Sequence, residues 1–217
     1  MSIVASSTAK PARNRRNPET TRTSILEAAR AEFAEKGLEG GRVDQIARRA
    51  KANKQLVYYY FGSKDELYKS ALEATYAEIR ALERELDLSA LPPQEAMVKL
   101  IDFSLDYLEK HRDFIRMLSD ENAHGARHVR GSEMALQTNS PLIDLLAETL
   151  ERGVKEGIFR ADIDPLELYV SIAGMTFFYF ANGLTLSAIF GRDLTQPRAV
   201  RSYRDHIVKL TIAGIRA

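Results

Sequence analysis

The sequence predicts an all-α fold of about nine helices, divided into a small N-terminal head and a larger C-terminal body. Three observations predict it. Apolar residues recur at three- and four-residue spacing nearly throughout, and no run of alternating β-branched residues reads as a strand. Proline and glycine fall where helices start and stop. Charge is unevenly placed: residues 1–72 hold fourteen Lys/Arg against eight Asp/Glu, or +6, and the remainder holds seventeen against twenty-two, or −5. A basic head on an acidic body suggests that one end meets a polyanion.

The chain opens on a basic arm, residues 1–17, carrying Lys10, Arg13, Arg15 and Arg16 without an acidic residue. It has no apolar run of the kind a signal peptide needs. Contact with phosphates or a minor groove and a solvated tail are equal readings of it. The first helix starts at Asn17-Pro18, a cap followed by proline, and stops at Gly37. A short second helix spans about Arg42 to Ala50, with Val43, Ile46, Ala47 and Ala50 inward. After a tight turn at Lys51-Ala52, Asn53 caps a third helix over Lys54–Tyr60. Gly62 breaks it, and Ser63 with Glu66 forms a capping box opening a fourth helix that runs to about Leu86.

The body then reads as helices over Pro93–Lys110 and Arg112–Ala123, an ambiguous stretch from Gly125 to Asn139, and a helix over Pro141–Glu156. An apolar helix follows from Asp164-Pro165 to Gly191, and a last one from Gln196-Pro197. Leu168 to Phe190 carries no charge over 23 residues, and a membrane span needs ~20. Its Ser, Thr, Asn and Gly content favours burial in a core or a subunit interface instead.

Two short helices joined by a tight turn inside a basic head are the arrangement that lays a recognition helix in the major groove of DNA. On the third helix Val57 and Phe61 are expected inward, with Tyr59 beside them in the core. Lys54, Gln55, Leu56, Tyr58 and Tyr60 are expected toward the groove, because three buried tyrosines would leave hydroxyls in need of partners.

The run Arg42-Val43-Asp44-Gln45-Ile46-Ala47, followed by Val57-Tyr58-Tyr59-Tyr60-Phe61-Gly62-Ser63-Lys64-Asp65-Glu66-Leu67, resembles the signature of the tetracycline-repressor (TetR/AcrR) family. The specific likeness covers about Thr20 to Leu72, and the rest of the chain matches in helical layout. The resemblance implies a DNA-binding head over residues 18–65 and a ligand-binding and dimerisation domain over residues 66–217. It implies that Arg42 sits near phosphate or a base edge, that Lys54 approaches the backbone, and that Tyr58 and Tyr60 meet the backbone or a thymine methyl. Lys64 would contact a phosphate, helped by the free N–H groups of its helical turn. Gln55 suits bidentate contact with adenine. The chain departs from the family pattern in three places. Gly41 stands where the family usually has a threonine cap, so one side-chain cap and phosphate contact is missing; Lys51 replaces the turn glycine, and Leu56 stands where a small polar residue is frequent. A left-handed Lys51 would carry a strain of about 1–2 kcal/mol.

The resemblance further implies an inducer site between the middle helices and a homodimer through the last two. Phe103, Tyr107, Phe114, Met117 and Leu118 are candidates to line the pocket, with Met175, Phe178, Tyr179 and Asn182 closing it. For any one of them, ordinary core packing competes with this role. Tyr203, Ile207, Leu210 and Ile212 join the apolar helix in the expected dimer surface. The function expected is a ligand-responsive transcriptional repressor in the cytoplasm, binding a near-palindromic operator and released by a small molecule; the head alone does not distinguish it from an activator.

Other functions find little support. No cysteine is present, which excludes disulfides, thiolate metal sites and cysteine nucleophiles. There is no zinc-hydrolase, nucleophile-elbow, P-loop or dinucleotide motif, so neither an enzyme nor a cofactor is expected. Glu121, His124 and His128 have a spacing that suits one helical face and so a metal, but Gly125 interrupts it and hydrogen-bonding histidines are commoner; no metal is assigned.

Overall fold

The computed structural model describes residues 17–130 and 132–217, with backbone only for 134–140. The basic residues of the N-terminal arm, Lys10 to Arg16, lie outside the described residues. Within them are nine α-helices and no strand, apart from a single bridge between Phe159 and Arg216 that ties the chain end to the body.

Helix α1 spans Pro18–Gly40, capped by Asn17, whose side chain accepts the N–H of Glu19 at 3.1 Å. The regular helix is interrupted at Gly37, where φ is 68° and ψ 178°. A side chain there would be strained, and a Cβ would lie 2.6 Å from Oδ1 of Asp120. Helices α2 (Val43–Arg49) and α3 (Lys54–Phe61) are joined by a turn in which Lys51 is left-handed, φ 52°. The lysine therefore carries the backbone strain that glycine would relieve. Asn53 accepts the N–H of Leu56 at 2.8 Å and starts α3. Ser63 accepts the N–H of Glu66 at 3.0 Å and starts α4 (Lys64–Arg84).

The structure places the cap of α2 at Arg42 rather than Gly41, and no side chain caps it. Gly41 has a different job: the Phe33 ring sits over it, 2.6 Å from where a Cβ would be. Threonine could not replace it without moving that ring.

The body consists of α5 (Pro93–Lys110), α6 (Arg112–Ala123), α7 (Glu133–Lys155), α8 (Pro165–Phe190) and α9 (Pro197–Ile215). Asp164 caps α8, and left-handed Gly191 ends it. Helix α7 begins eight residues before the expected Pro141, which lies inside it. Proline tolerates an interior position at the loss of one backbone hydrogen bond, so Pro141 marks no boundary.

Two cores form. The head core gathers Ile25, Phe33, Ile46, Val57, Leu67 and Tyr68, and also takes in Met117 from α6. It thus runs past residue 65 into α4. The body core is built around Met97, Ile101, Leu105, Leu146, Ile172 and Ile207. Helix α6 touches both α1 and α8, and so bridges head and body.

Helix α8 is the one described helix long and apolar enough to cross a membrane. One stripe, including Leu168, Ile172, Thr176 and Phe180, is buried in the body. Its other faces and its C-terminal end are not: Val170, Phe178, Leu184, Ile189 and Phe190 are each more than half exposed. Burial within a single chain therefore accounts for part of its apolar character, and the rest faces outward.

Candidate nucleic-acid interface and effector cavity

Helix α3 stands on the head core through Val57 and Phe61, 1% and 6% exposed. The Arg22 guanidinium lies 5.1 Å from the Phe61 ring centre and fastens α3 to α1. Of the other residues, Lys54, Gln55, Tyr58 and Tyr59 are exposed and Leu56 and Tyr60 partly buried, which is not the expected arrangement throughout. Tyr59 is 79% exposed and outside the core. At about 100° per residue it falls about 200° from Val57, whereas Tyr60 falls about 60° away. Accordingly Tyr60 is the half-buried tyrosine, packed on the head core with Leu56. Tyr58 is 42% exposed, and the Tyr59 and Tyr60 rings meet edge to face at 5.2 Å.

Gln55 and Arg42 are exposed. The backbone N–H of Arg42 donates to the buried carboxylate of Glu32 at 3.3 Å, which fixes the start of α2. Lys54 pairs with Asp44 across the turn at 3.0 Å, and that carboxylate pushes the ammonium's pKa up. Lys64 donates to the Glu39 carbonyl at 3.1 Å. Both lysines are thus positioned by neighbours that a phosphate would have to replace or share. Lys54, Gln55, Tyr58 and Tyr59 share the outward face of α3 at about 100° per residue, and Arg42 and Lys51 in the neighbouring turns are exposed as well.

In the body a cavity of about 340 Å³ opens between α4, α5, α6 and α8. Volumes of ~300–1,000 Å³ with mostly apolar walls are usual for small-molecule sites. Of the residues expected to bind an effector, Phe114 and Leu118 line it. The others lie elsewhere. Met117 is fully buried in the head core. Tyr107 is buried and stacks on His111 at 4.1 Å, beside Phe103. Met175 accepts the Tyr203 hydroxyl on its carbonyl at 3.1 Å. Tyr179 stacks on Tyr203 at 3.9 Å and donates to the Leu194 carbonyl. Asn182 donates to the Phe178 carbonyl, and Phe178 itself is 56% exposed.

The wall that sequence reasoning missed is a stripe of α4, Tyr76, Ile79, Arg80 and Glu83, facing Tyr169 of α8. Their spacing is that of one helical face, and that was the available signal. Arg80 and Glu83 form a buried ion pair, and Arg80 also donates to the Tyr169 hydroxyl at 2.8 Å. Burial raises the pKa of the Glu83 carboxyl against the opposing pull of Arg80.

The cavity meets the head through α6. Its Phe114, Leu118 and Asn122 face the cavity. One face round, Met117 enters the head core and Asp120 accepts the Leu38 N–H at 2.9 Å and the Tyr68 hydroxyl at 3.0 Å. Arg30 of α1 reaches Glu78 of α4 at 2.6 Å and Asp113 of α6 at 3.5 Å. Glu121 is engaged in closing the loop after α6: it accepts the N–H groups of His128 and Val129, and Nδ1 of His128 lies 2.8 Å away. His124 turns instead to the Asp120 carbonyl at 2.7 Å. Among the described residues no three metal-ligating side chains converge.

Comparison with known proteins agrees with this architecture. Residues 25–71 match the model for bacterial regulatory proteins of the tetR family. Residues 93–211 match the tetracyclin repressor-like C-terminal domain. The chain is 36% identical to the HTH-type transcriptional repressor NicS of Pseudomonas putida over 196 residues, covering 90% of this chain and 92% of that protein. It is 43% identical to the HTH-type transcriptional repressor SCO4008 of Streptomyces coelicolor over 105 residues, 48% of this chain and 50% of that one. The structure of the ketosteroid transcriptional regulator KstR2 of Mycobacterium tuberculosis is similar in fold, with a TM-score of 0.65 at 24% identity, covering 90% of this chain and 95% of that chain. A head of one long and two short helices on a helical body, matched over both parts, leads to one conclusion: the chain belongs to the TetR family of bacterial regulatory proteins.

Proposed function

We propose that this chain is a ligand-responsive transcriptional repressor that binds a near-palindromic operator as a homodimer and is released by a small-molecule effector. The observation that carries the reading is the double duty of α6, which walls the cavity with Phe114 and Leu118 and holds the head with Met117 and Asp120. An effector that fits one arrangement of this helix better than another shifts the head by that difference in affinity. The names of the two curated relatives above, both called repressors, support the sign of regulation.

In this reading Lys54, Lys64 and Arg42 take phosphates, and Gln55 reads a base edge, with Leu56 and Tyr58 beside it. Tyr60 contributes through its exposed part, and Tyr59 is added to the face. Dimerisation through α8 and α9 covers Phe178, Leu184, Ile189 and Leu210, which a lone chain leaves more than half exposed. Two heads about 34 Å apart would then read two half-sites. Action is in the cytoplasm, where the operator is, and α8 serves the dimer rather than a membrane.

The test starts from selection of duplexes out of a random library by the purified protein. The enriched duplex should show two related half-sites. Compounds that raise the melting temperature of the wild type, and lose that effect in Leu118→Trp, should lower affinity for it. Tight cavity binding with unchanged operator affinity would contradict the reading.

A further inference from the structure

We propose that a second cleft, bounded by α6, α8 and α9, binds a small amphipathic anion, with a carboxylate on Arg112 and Arg116 and a ring or hydrocarbon body on the apolar floor. The cleft has a volume of about 380 Å³ and is separate from the cavity described above. Its floor is Ile115, Tyr179, Phe180, Leu194 and Val200. Among the side chains that line it are two guanidiniums and no carboxylate.

The helical wheel of α6 explains why this site is distinct. At about 100° per residue, Phe114, Leu118 and Asn122 form the face on the first cavity. Asp113, Met117 and Asp120 form the face on the head. Arg112, Ile115 and Arg116 form a third face, turned away from both and directed into the second cleft.

The two arginines are arranged for an anion. Arg112 is held in place: it donates to the Phe180 carbonyl at 2.9 Å, and its guanidinium lies 4.9 Å from the Phe180 ring centre. Arg116 lies one turn further on the same face, exposed, and makes no ion pair among the described residues. In the loop from α8 to α9, Asp193 accepts the N–H and hydroxyl of Thr195 at 2.9 and 2.6 Å and makes no ion pair with either arginine. Two like charges beside an apolar floor repel one another until an anion joins them, and a guanidinium binds a planar carboxylate through two parallel hydrogen bonds. An apolar body on the anion covers the floor, which inorganic anions cannot do.

This site does not depend on the first cavity taking an effector. The test is calorimetric titration of the full-length protein with 2-naphthoate, and with 2-naphthamide as its uncharged counterpart. Naphthoate should bind wild type with one site per chain in this cleft, and the amide should bind at least about tenfold more weakly, a difference of about 1.4 kcal/mol. Arg116→Gln should weaken naphthoate by a similar factor with no change in melting temperature, and Arg116→Lys should restore part of it. Val200→Trp, which fills the cleft, should abolish binding, whereas Leu118→Trp, which fills the first cavity, should leave it intact. Leu184, at the edge of the cleft, also belongs to the proposed dimer surface, so the site lies beside that interface and the protein is titrated as it assembles. Binding that survives Arg116→Gln, binding lost in Leu118→Trp but kept in Val200→Trp, or no binding of naphthoate by wild type would each overturn the proposal.

Discussion

Asp120 accepts the backbone N–H of Leu38 at 2.9 Å, across 82 residues of sequence. The bond joins the end of α6 to the point where α1 turns toward the DNA-reading helices. Glycine at position 37 lets the carboxylate come this close. The same carboxylate takes the hydroxyl of Tyr68, a fully buried residue of the head core. Loss of Asp120 therefore leaves a part-buried N–H and a buried O–H to find other partners.

Asp120→Ala should cost about 2 kcal/mol of stability, the usual penalty for stranding such groups. It should also weaken the link from cavity to head. Chemical denaturation measures the first effect, and operator affinity with and without an effector measures the second. Asp120→Asn keeps an acceptor for Leu38 and should retain most of the stability.

Lys51 stands in the left-handed region at φ 52°. Lys51→Gly should relieve about 1–2 kcal/mol of backbone strain, offset by about 0.5–1 kcal/mol of added freedom in the unfolded chain. The variant should melt at the wild-type temperature or slightly above it. Where the lysine meets a phosphate, operator affinity should fall and the salt dependence of binding should become shallower by about one phosphate. A marked loss of stability would show that the strain argument is wrong.

Tyr59 and Tyr60 are adjacent, yet their surroundings differ. Tyr59→Ala removes a ring that is 79% exposed and should change stability by less than about 0.5 kcal/mol. Tyr60→Ala uncovers part of the head core and should cost about 1–2 kcal/mol. Both should weaken DNA binding, but only the second should lower the melting temperature.

Glu83 gives the cavity wall a pH dependence. Burial holds its carboxyl above the ordinary 4.5, so the folded chain binds this proton more tightly than the unfolded chain does. Stability from that proton is fully present below about 4.5 and is lost as pH rises through the raised folded value. Glu83→Gln lacks the titration. Melting curves of the two proteins from about pH 4 to about pH 8 should therefore show wild type losing stability relative to the variant as pH rises through that window. Parallel profiles would contradict the assignment.

Much of the head was legible in the sequence because its signals are local. Asn17, Asn53 and Ser63 each accept the backbone N–H expected of a cap, and these caps fix where α1, α3 and α4 begin. Tyr59 does not fall beside Val57 and Phe61 in projection: it lies about 200° from the first and about 160° from the second, so the helix turns it to solvent. Periodicity also left the neighbours of each helical face undecided. Phe114, Met117 and Leu118 are similar in sequence terms, yet Met117 enters the head core while the other two line the cavity. Arg80 and Glu83 are charged residues on a helix whose apolar stripe gives no sign of them, and only the packing of α8, which brings Tyr169 to Arg80, buries the pair. Likewise, an uncharged α8 declares that it must be covered, but not which stripe lies against its own body.

The central claim is that two copies present α3 to duplex DNA through a rim of fixed cations. Its most direct test is fluorescence anisotropy of a library-selected duplex titrated with the purified protein over a range of salt concentrations, for wild type and Lys64→Ala. The account predicts two chains per duplex, or a multiple of two, and an affinity that falls linearly on a log–log plot against salt. In Lys64→Ala the loss should be similar for selected and unrelated sequences, with a slope shallower by about 0.9 per phosphate contact removed from each chain. A protein that stays a single chain and shows the same weak affinity for every duplex would contradict it.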